Sequence, residues 1–255
     1  MNSAGGSFTE LAGSARGEET YLVREYGQYC PIARGSEVLA ERWTPIILRN
    51  MLNGCRTFNE ISGGAPGLSR ALLTRRLREL DRAGVITIRP KVTGHGSLYE
   101  LTPAGRDLSG VLSALGAWAE RWTDITHEHA EPDYVLWSWC KLYLRDDLLP
   151  GGRVVVRFDL PRAKRRINHW LLIEQRQAEL CRTDPGFGDD VVVFVSDPLV
   201  FAQWHTGLVT WHTALRSGGI AVSGRRDLCR ALPTWNAGPQ AISERRAKAQ
   251  RLPTQ

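Results

Sequence analysis

The sequence predicts an α+β chain of two domains: a small helical domain closed by a β-hairpin, then a domain that mixes strands with helices. Three observations carry this expectation. Glycine, proline and hydroxyl residues punctuate residues 31–101 into four helical runs followed by two short strand-like runs. Positive charge is concentrated: residues 66–95 hold seven Lys/Arg against two Asp/Glu, whereas residues 123–236 balance at fourteen of each. Beyond residue 150, Val154, Val156 and Phe158 alternate with Arg157 and Asp159, the pattern of a sheet with one buried face.

The elements follow in order. A helix is expected over residues 31–40, with Pro31 in the first turn, where a missing N–H costs little. Thr44 is expected to cap a second helix over residues 45–52, which Gly54 stops. Thr57-Phe58-Asn59-Glu60 is a capping-box pattern ahead of a short third helix. Gly63-Gly64-Ala65-Pro66-Gly67 breaks the chain, and Ser69 caps a fourth run that reaches Ala83 and ends at Gly84. Residues 85–89 and 98–101 read as strands, joined by the glycine-rich loop Pro90-Lys91-Val92-Thr93-Gly94-His95-Gly96-Ser97. Helices followed by a hairpin, in this order, make a winged helix-turn-helix.

Composition excludes several classes. The 255 residues are 42% apolar, enough for two modest cores. No run of ~20 apolar residues could span a bilayer, so no membrane partner is expected. Residues 1–20 lack the apolar core of a secretory signal and carry acids that a transit peptide avoids, so they read as a disordered leader. Five cysteines (Cys30, Cys55, Cys140, Cys181 and Cys229) form no CxxC pair. That argues against a disulfide framework or a cysteine zinc site and fits a cytoplasmic location. The formal charge of +6 rests on residues 30–122, with thirteen bases and eight acids, and on a basic, flexible tail over residues 237–255.

On a helical wheel the fourth run puts Leu73, Leu77 and Leu80 on one side, with Leu68 approaching from the turn. Ala71, Thr74, Arg75 and Arg78 fall opposite, bordered by Arg70, and Ser69 at the cap is the further expected DNA contact. A helix that buries leucines and presents a small residue, a hydroxyl and arginines suits the major groove of double-stranded DNA. Ala71 permits close approach, and an arginine can fork onto guanine or phosphate. Lys91 and His95 in the hairpin loop are the corresponding backbone contacts. The alternative is that these arginines are simply a solvated helix face.

Residues 30–122 resemble the HxlR family of winged-helix regulators. The residues that carry the resemblance are Cys30-Pro31-Ile32, Arg42-Trp43-Thr44 with Ile47-Leu48, and Arg56-Thr57-Phe58-Asn59-Glu60-Ile61. It continues through Leu68-Ser69, the run from Leu73 to Leu80, Gly84-Val85-Ile86, and Tyr99-Glu100-Leu101-Thr102-Pro103-Ala104-Gly105. The resemblance implies a transcriptional regulator that acts as a homodimer, with the fourth helix in the major groove and the wing along the backbone. One departure is the insertion-like Gly63-Gly64, a position from which the presentation of the helix by the turn could be altered. Cys30, beside Pro31 at a helix start, is a candidate redox sensor, because some members of the family sense oxidants through a cysteine near this position; the alternative is a structural cysteine at the dimer seam.

The seam itself is expected after the wing, over residues 104–123. Leu108, Val111, Leu112, Leu115, Trp118, Ala119 and Trp122 recur there at three and four residues, a stripe wider than a ninety-residue domain needs internally. Packing on the chain's own second domain is the alternative. Tyr21-Leu22-Val23 and Tyr26 are placed to wrap the same seam. The first domain thus runs over residues 21–126, and His127-Glu128-His129-Ala130-Glu131 is a polar linker without the ligand set of a metal site.

The second domain, residues 132–236, is read as a helix over residues 134–144, strands over 153–160, 169–174, 177–182 and 190–196, and helices over 198–204 and 211–217. A strand over 220–223 and a helix over 227–232 close it. It is similar to sterol-carrier-protein-like lipid-binding domains. The pattern is Asp190-Val191-Val192-Val193-Phe194-Val195-Ser196-Asp197-Pro198, then Gly207, Ala214-Leu215 with Ser217-Gly218-Gly219, and Ile220-Ala221-Val222-Ser223-Gly224. The resemblance implies an α/β sandwich with an apolar cavity between the sheet and its covering helices. Phe201, Trp204, Leu208 and Trp211, with His205 as a polar handle, are the expected lining for a hydrophobic small-molecule effector. The same rings could instead fill the core. No GxSxG, P-loop, helix-opening GxGxxG or HExxH motif occurs, so no enzyme, no cofactor and no metal are expected. The third reading is an architectural protein that uses its second domain only for assembly.

Overall fold

The computed structural model describes residues 26–92 and 94–238. The leader, Tyr21-Leu22-Val23, Thr93 of the wing loop and the tail from residue 239 lie outside the described residues. The described chain divides between Glu41 and Arg42 into two units. The first holds α1 (Pro31–Leu39), which starts on Pro31 with Cys30 at its N-cap and no side-chain capping bond. Within this unit the Tyr26 N–H donates to Glu37 Oε1 at 2.9 Å.

The second unit opens with α2 (Thr44–Leu52). Thr44, expected as its cap, lies inside the helix; the cap position falls to Trp43, which adopts a left-handed φ of 79°. A bulky residue there is strained by about 1–3 kcal/mol, and the Arg42 guanidinium stacks 5.6 Å from the Trp43 ring. α3 (Phe58–Gly63) begins on a complete capping box: Thr57 Oγ1 accepts from Glu60 N–H while the Glu60 carboxylate accepts the Thr57 N–H. α4 (Arg70–Arg82) buries Leu73, Leu77 and Leu80, each contributing roughly 1.5–3 kcal/mol by leaving water. The wing follows as antiparallel β1 (Ile86–Pro90) and β2 (Ser97–Leu101), with Ile86 opposite Leu101 and Pro90 opposite Ser97. α5 (Pro103–Trp122) is capped by Thr102 and packs its first turn against the entry to β1. Only glycine fits there, because a Cβ on Gly105 would lie 2.2 Å from the Val85 carbonyl oxygen.

A short 3-10 turn (His127–His129) leads to α6 (Pro132–Leu142). Then come β3 (Val154–Arg162), β4 (Arg165–Glu174), β5 (Gln177–Cys181) and β6 (Val191–Val195). α7 (Pro198–Thr206), α8 (Trp211–Arg216), β7 (Ile220–Gly224) and α9 (Arg226–Ala231) complete the order, followed by a 3-10 turn ending at Trp235. The five strands form one mixed sheet in the order β5-β4-β3-β6-β7. β3 and β6 are parallel and every other pair is antiparallel. The period-2 pattern aims Val156, Phe158, Leu171, Val193 and Ile220 into one core, which Trp139 of α6, Phe201 of α7 and Ala214 of α8 cover. The opposite face carries pairs such as Arg157 with Asp189 and Arg166 with Asp159.

The rings expected to line an apolar cavity pack on one another. Trp139 meets Phe158 and Trp204 edge-on at 5.6 and 5.0 Å, and Phe201 stacks on Trp204 at 5.8 Å. Edge-on and stacked pairs at these spacings gain beyond simple burial, which draws the rings together.

Candidate nucleic-acid interface

Ser69 fixes the start of α4 by accepting the Leu72 N–H at 3.2 Å. With the leucines buried beneath, Ser69, Arg70, Ala71, Arg75 and Arg78 are exposed and Thr74 is half-buried. The residues grouped by the wheel therefore share one surface. Their side chains are not equally available. The Thr74 hydroxyl donates to the Arg70 carbonyl at 2.9 Å, and the Arg70 guanidinium lies 4.6 Å over the Phe58 ring. Arg75 donates through Nε to Glu79 at 2.8 Å, and the buried Arg76 holds the other oxygen of that carboxylate at 2.5 Å. Burial alone would raise the Glu79 pKa, yet the bonds from Arg75 and Arg76 bring it below the usual carboxylate range. Arg75, placed on the wheel as an open groove contact, thus starts in an ion pair. Among the described residues no carboxylate pairs with Arg78.

In the wing, Lys91 is half-buried, its N–H closing the hairpin on the Gly96 carbonyl at 3.0 Å, and His95 is exposed. Two further arginines on this side escaped sequence reasoning. Arg56 and Arg89 flank Glu100 at 2.6 and 3.7 Å and are both largely exposed. Their signal was present only as isolated bases at the ends of unremarkable runs.

A second feature that the sequence hides lies under the turn. Arg49 of α2 reaches out of the winged helix to Tyr134 of α6, donating to its hydroxyl at 3.0 Å with the guanidinium 4.8 Å over the ring. It also donates to the Gly64 carbonyl at 2.7 Å and to Asn50 Oδ1 at 2.9 Å, while Asn50 donates to the Ile61 carbonyl at 2.8 Å. Trp137 of α6 lies against Gly63 and Gly64, where a Cβ on Gly64 would stand 2.5 Å from the indole. The glycine pair Gly63-Gly64 is the seat of Trp137. The turn that delivers α4 is thus in direct contact with the second half.

The expected effector residues do not converge on one cavity. Phe201 is fully buried, and Leu208 is 58% exposed because it follows Gly207, which ends α7 in a left-handed conformation. Trp204, His205 and Trp211 share an open hollow of about 400 Å³ with Val209 and Asn236. His205 is committed: it bonds Ser138 Oγ at 3.0 Å and Asn236 Oδ1 at 3.1 Å. Burial lowers its pKa to about 4 against the opposing pull of Asn236. The ring is therefore neutral at pH 7. Cys30 is a free, half-buried thiol. Burial pushes the Cys55 and Cys140 thiols up. Of the linker histidines, His127 lies 3.4 Å from Asp197 and His129 accepts the Thr126 N–H. Among the described residues no cluster of three or more potential metal ligands occurs, and no helix is long and apolar enough to cross a membrane.

Comparison with known proteins places the winged helix. Residues 38–127 match the family model described as HxlR-like helix-turn-helix. The chain is 34% identical over 100 residues to YvaP, an uncharacterized HTH-type transcriptional regulator of Bacillus subtilis, covering 38% of this chain and 92% of that protein. It is 33% identical over 101 residues to YdeP of the same organism, also an uncharacterized HTH-type transcriptional regulator, covering 37% and 75% respectively. Among solved structures, one described as the redox regulator HypR in its oxidized form is 28% identical, with a TM-score of 0.36 over 38% of this chain and all of that one. The chain belongs to the HxlR-like helix-turn-helix family of DNA-binding transcriptional regulators.

Proposed function

We propose that the protein works in the cytoplasm as a homodimer that inserts α4 into the major groove of duplex DNA, lays the β1–β2 wing along the backbone and receives its signal through the second half. One observation carries this reading: α4 exposes Ala71, Arg75 and Arg78 opposite the buried Leu73, Leu77 and Leu80, with Arg70 exposed in its first turn and Ser69 at its cap. Arg78 reads base edges most directly. Arg75 joins when it exchanges Glu79 for DNA, and Lys91 and His95 bind phosphate. Homodimerisation is supported by α5, where Val111, Leu115, Trp118 and Trp122 are 53, 51, 57 and 69% exposed along one stripe. A soluble helix with that much apolar surface calls for a partner, and a second copy supplies an identical stripe.

The domains run over residues 21–126 and 132–236. The second is a sterol-carrier-like domain, a reading supported by its mixed sheet with helices on one face. Its effector is an apolar or amphipathic molecule seated at the hollow of Trp204, His205 and Trp211. Selection of duplexes from a random library by the full chain tests the DNA reading. An inverted repeat with half-sites about 10 base pairs apart is expected of a two-fold dimer; a single half-site, or no enrichment, refutes it. A second reading is redox control through Cys30 with a purely structural second domain, favoured by the free, half-buried thiol at the start of α1. Peroxide then weakens DNA binding of the native protein and leaves Cys30→Ser unaffected; equal responses rule this out.

A further inference from the structure

Residues 65–68, the turn that delivers α4, face α6, β4 and β5 across a cleft of about 170 Å³. This cleft is separate from the hollow at Trp204, and the inference drawn from it does not rest on the effector reading above. Trp137 and Leu180 give it an apolar wall, and Asp133, His169, Arg162 and Arg182 give it a polar one. The Asp133 carboxylate is fully engaged: Oδ1 bonds His169 Nε2 at 2.8 Å and Oδ2 lies 3.6 Å from Arg162 Nη1. Burial raises the Asp133 pKa, but the His169 bond and the Arg162 and Arg182 charges outweigh it, so the group is ionised at neutral pH.

One negative charge therefore faces two guanidiniums. Among the described residues no carboxylate pairs with Arg182, which leaves the cleft one positive charge in excess beside an indole. A guanidinium at the edge of an apolar wall recognises a carboxylate by paired, charge-assisted hydrogen bonds. The volume sets the size of the guest, since a cavity of about 150 Å³ takes one benzene ring. We propose that this cleft binds a small monocarboxylate no larger than a single ring, its carboxylate on Arg182 and Arg162 and its apolar part against Trp137 and Leu180. One wall of the cleft is the turn itself, so an occupied cleft holds that turn, and with it the start of α4, against the second half.

Calorimetric titration of the full chain with benzoate tests the assignment. One saturable site per chain is expected. Arg182→Gln, at an exposed position, should weaken benzoate by about tenfold or more, equivalent to ~1.4 kcal/mol, and Arg216→Gln in α8 should leave it unchanged. Benzamide, the same ring without the charge, should bind about tenfold more weakly than benzoate. Thermal melts verify folding, and Arg162→Gln replaces Arg182→Gln if the latter does not fold. Absence of saturation, equal affinity in the arginine variant, or equal affinity for benzoate and benzamide each overturns the proposal.

Discussion

Gly64→Ala isolates the contact between the helix-turn-helix and the second half, because two physical effects of opposite sign meet at this one atom. Gly64 has φ −86° and ψ 10°, a conformation open to alanine. On backbone grounds alone the substitution should stabilise the fold by about 0.4–1 kcal/mol, by restricting the unfolded chain. The added Cβ, however, would stand 2.5 Å from two atoms of the Trp137 indole and 2.6 Å from Asn50 Nδ2. Neither neighbour yields cheaply. Trp137 is stacked on Tyr134, with ring centres 6.0 Å apart, and lies under Arg49; Asn50 is fully buried and bonded to Ile61 and Arg49. Overpacking of this kind costs roughly 1–3 kcal/mol, so the clash wins. At roughly 2–4 °C per kcal/mol for a chain of this size, the melting temperature should fall by several degrees. Circular dichroism melts of Gly64→Ala, Trp137→Ala and the double variant form a cycle. Removal of the indole should relieve the part of the alanine penalty that Trp137 causes, making the double variant more stable than the sum of the single changes predicts. If Gly64→Ala is neutral or stabilising, or if its cost is undiminished without the indole, this account of the interface is wrong.

Other perturbations test the remaining sites. Arg78→Ala should cost about 1–3 kcal/mol on the selected duplex, and Arg75→Ala less, because part of that side chain's interaction is already spent on Glu79; fluorescence anisotropy that ranks them the other way contradicts the assignment. Lys91→Ala should weaken all duplexes alike and reduce the salt slope by about one. If α5 forms the proposed homodimer seam, Trp118→Asp should yield monomer where the native chain sediments as a dimer, and an unchanged sedimentation coefficient excludes that seam. For His205, the folded pKa of about 4 lies below the ordinary ~6.5, so the unfolded chain binds the proton first as the pH drops. Its contribution is complete above pH ~6.5 and is lost as pH falls toward 4, by roughly 3 kcal/mol at ~1.36 per pH unit. His205→Gln should flatten denaturant-measured stability over that window; an identical acid slope would show that the histidine does not titrate as described.

The features legible in the sequence are those that local chemistry decides. Thr57 with Glu60, and Ser69 at the head of α4, lie within four residues of the N–H groups they satisfy, so their caps can be read directly. The alternation in β3 carries its own periodicity, and the leucine spacing of α4 fixes which face is buried. The cap of α2 was not legible. Nothing intrinsic to tryptophan favours the left-handed conformation of Trp43, which the surrounding structure imposes. Arg75 with Glu79 is an i,i+4 pair visible on the wheel, yet a wheel ranks faces and says nothing about which arginine is already engaged. Apolar spacing likewise announces that Phe201 and Trp204 are covered, not whether space remains between them. Arg49 and Tyr134 are 85 residues apart, and their only local trace is a glycine pair where Trp137 needs room.

That glycine pair also bears on how a signal could reach DNA. A second half attached only by a linker would alter α4 through local concentration alone. Here Arg49 ties α2, the Gly64 carbonyl and Tyr134 into one network, and Trp137 rests on the turn itself. Any ligand that binds the second half more tightly in one arrangement of this interface than in another must therefore shift α4, by as much as its difference in affinity allows. A tenfold change in DNA affinity requires about 1.4 kcal/mol of such coupling, comparable to the cost expected of disturbing Gly64 alone. The coupling is reciprocal, so DNA must change the ligand's affinity by the same factor. Loosening the contact at Trp137 should remove both effects together, whereas the DNA contacts proposed for Arg78, which lies on α4 itself, should remain.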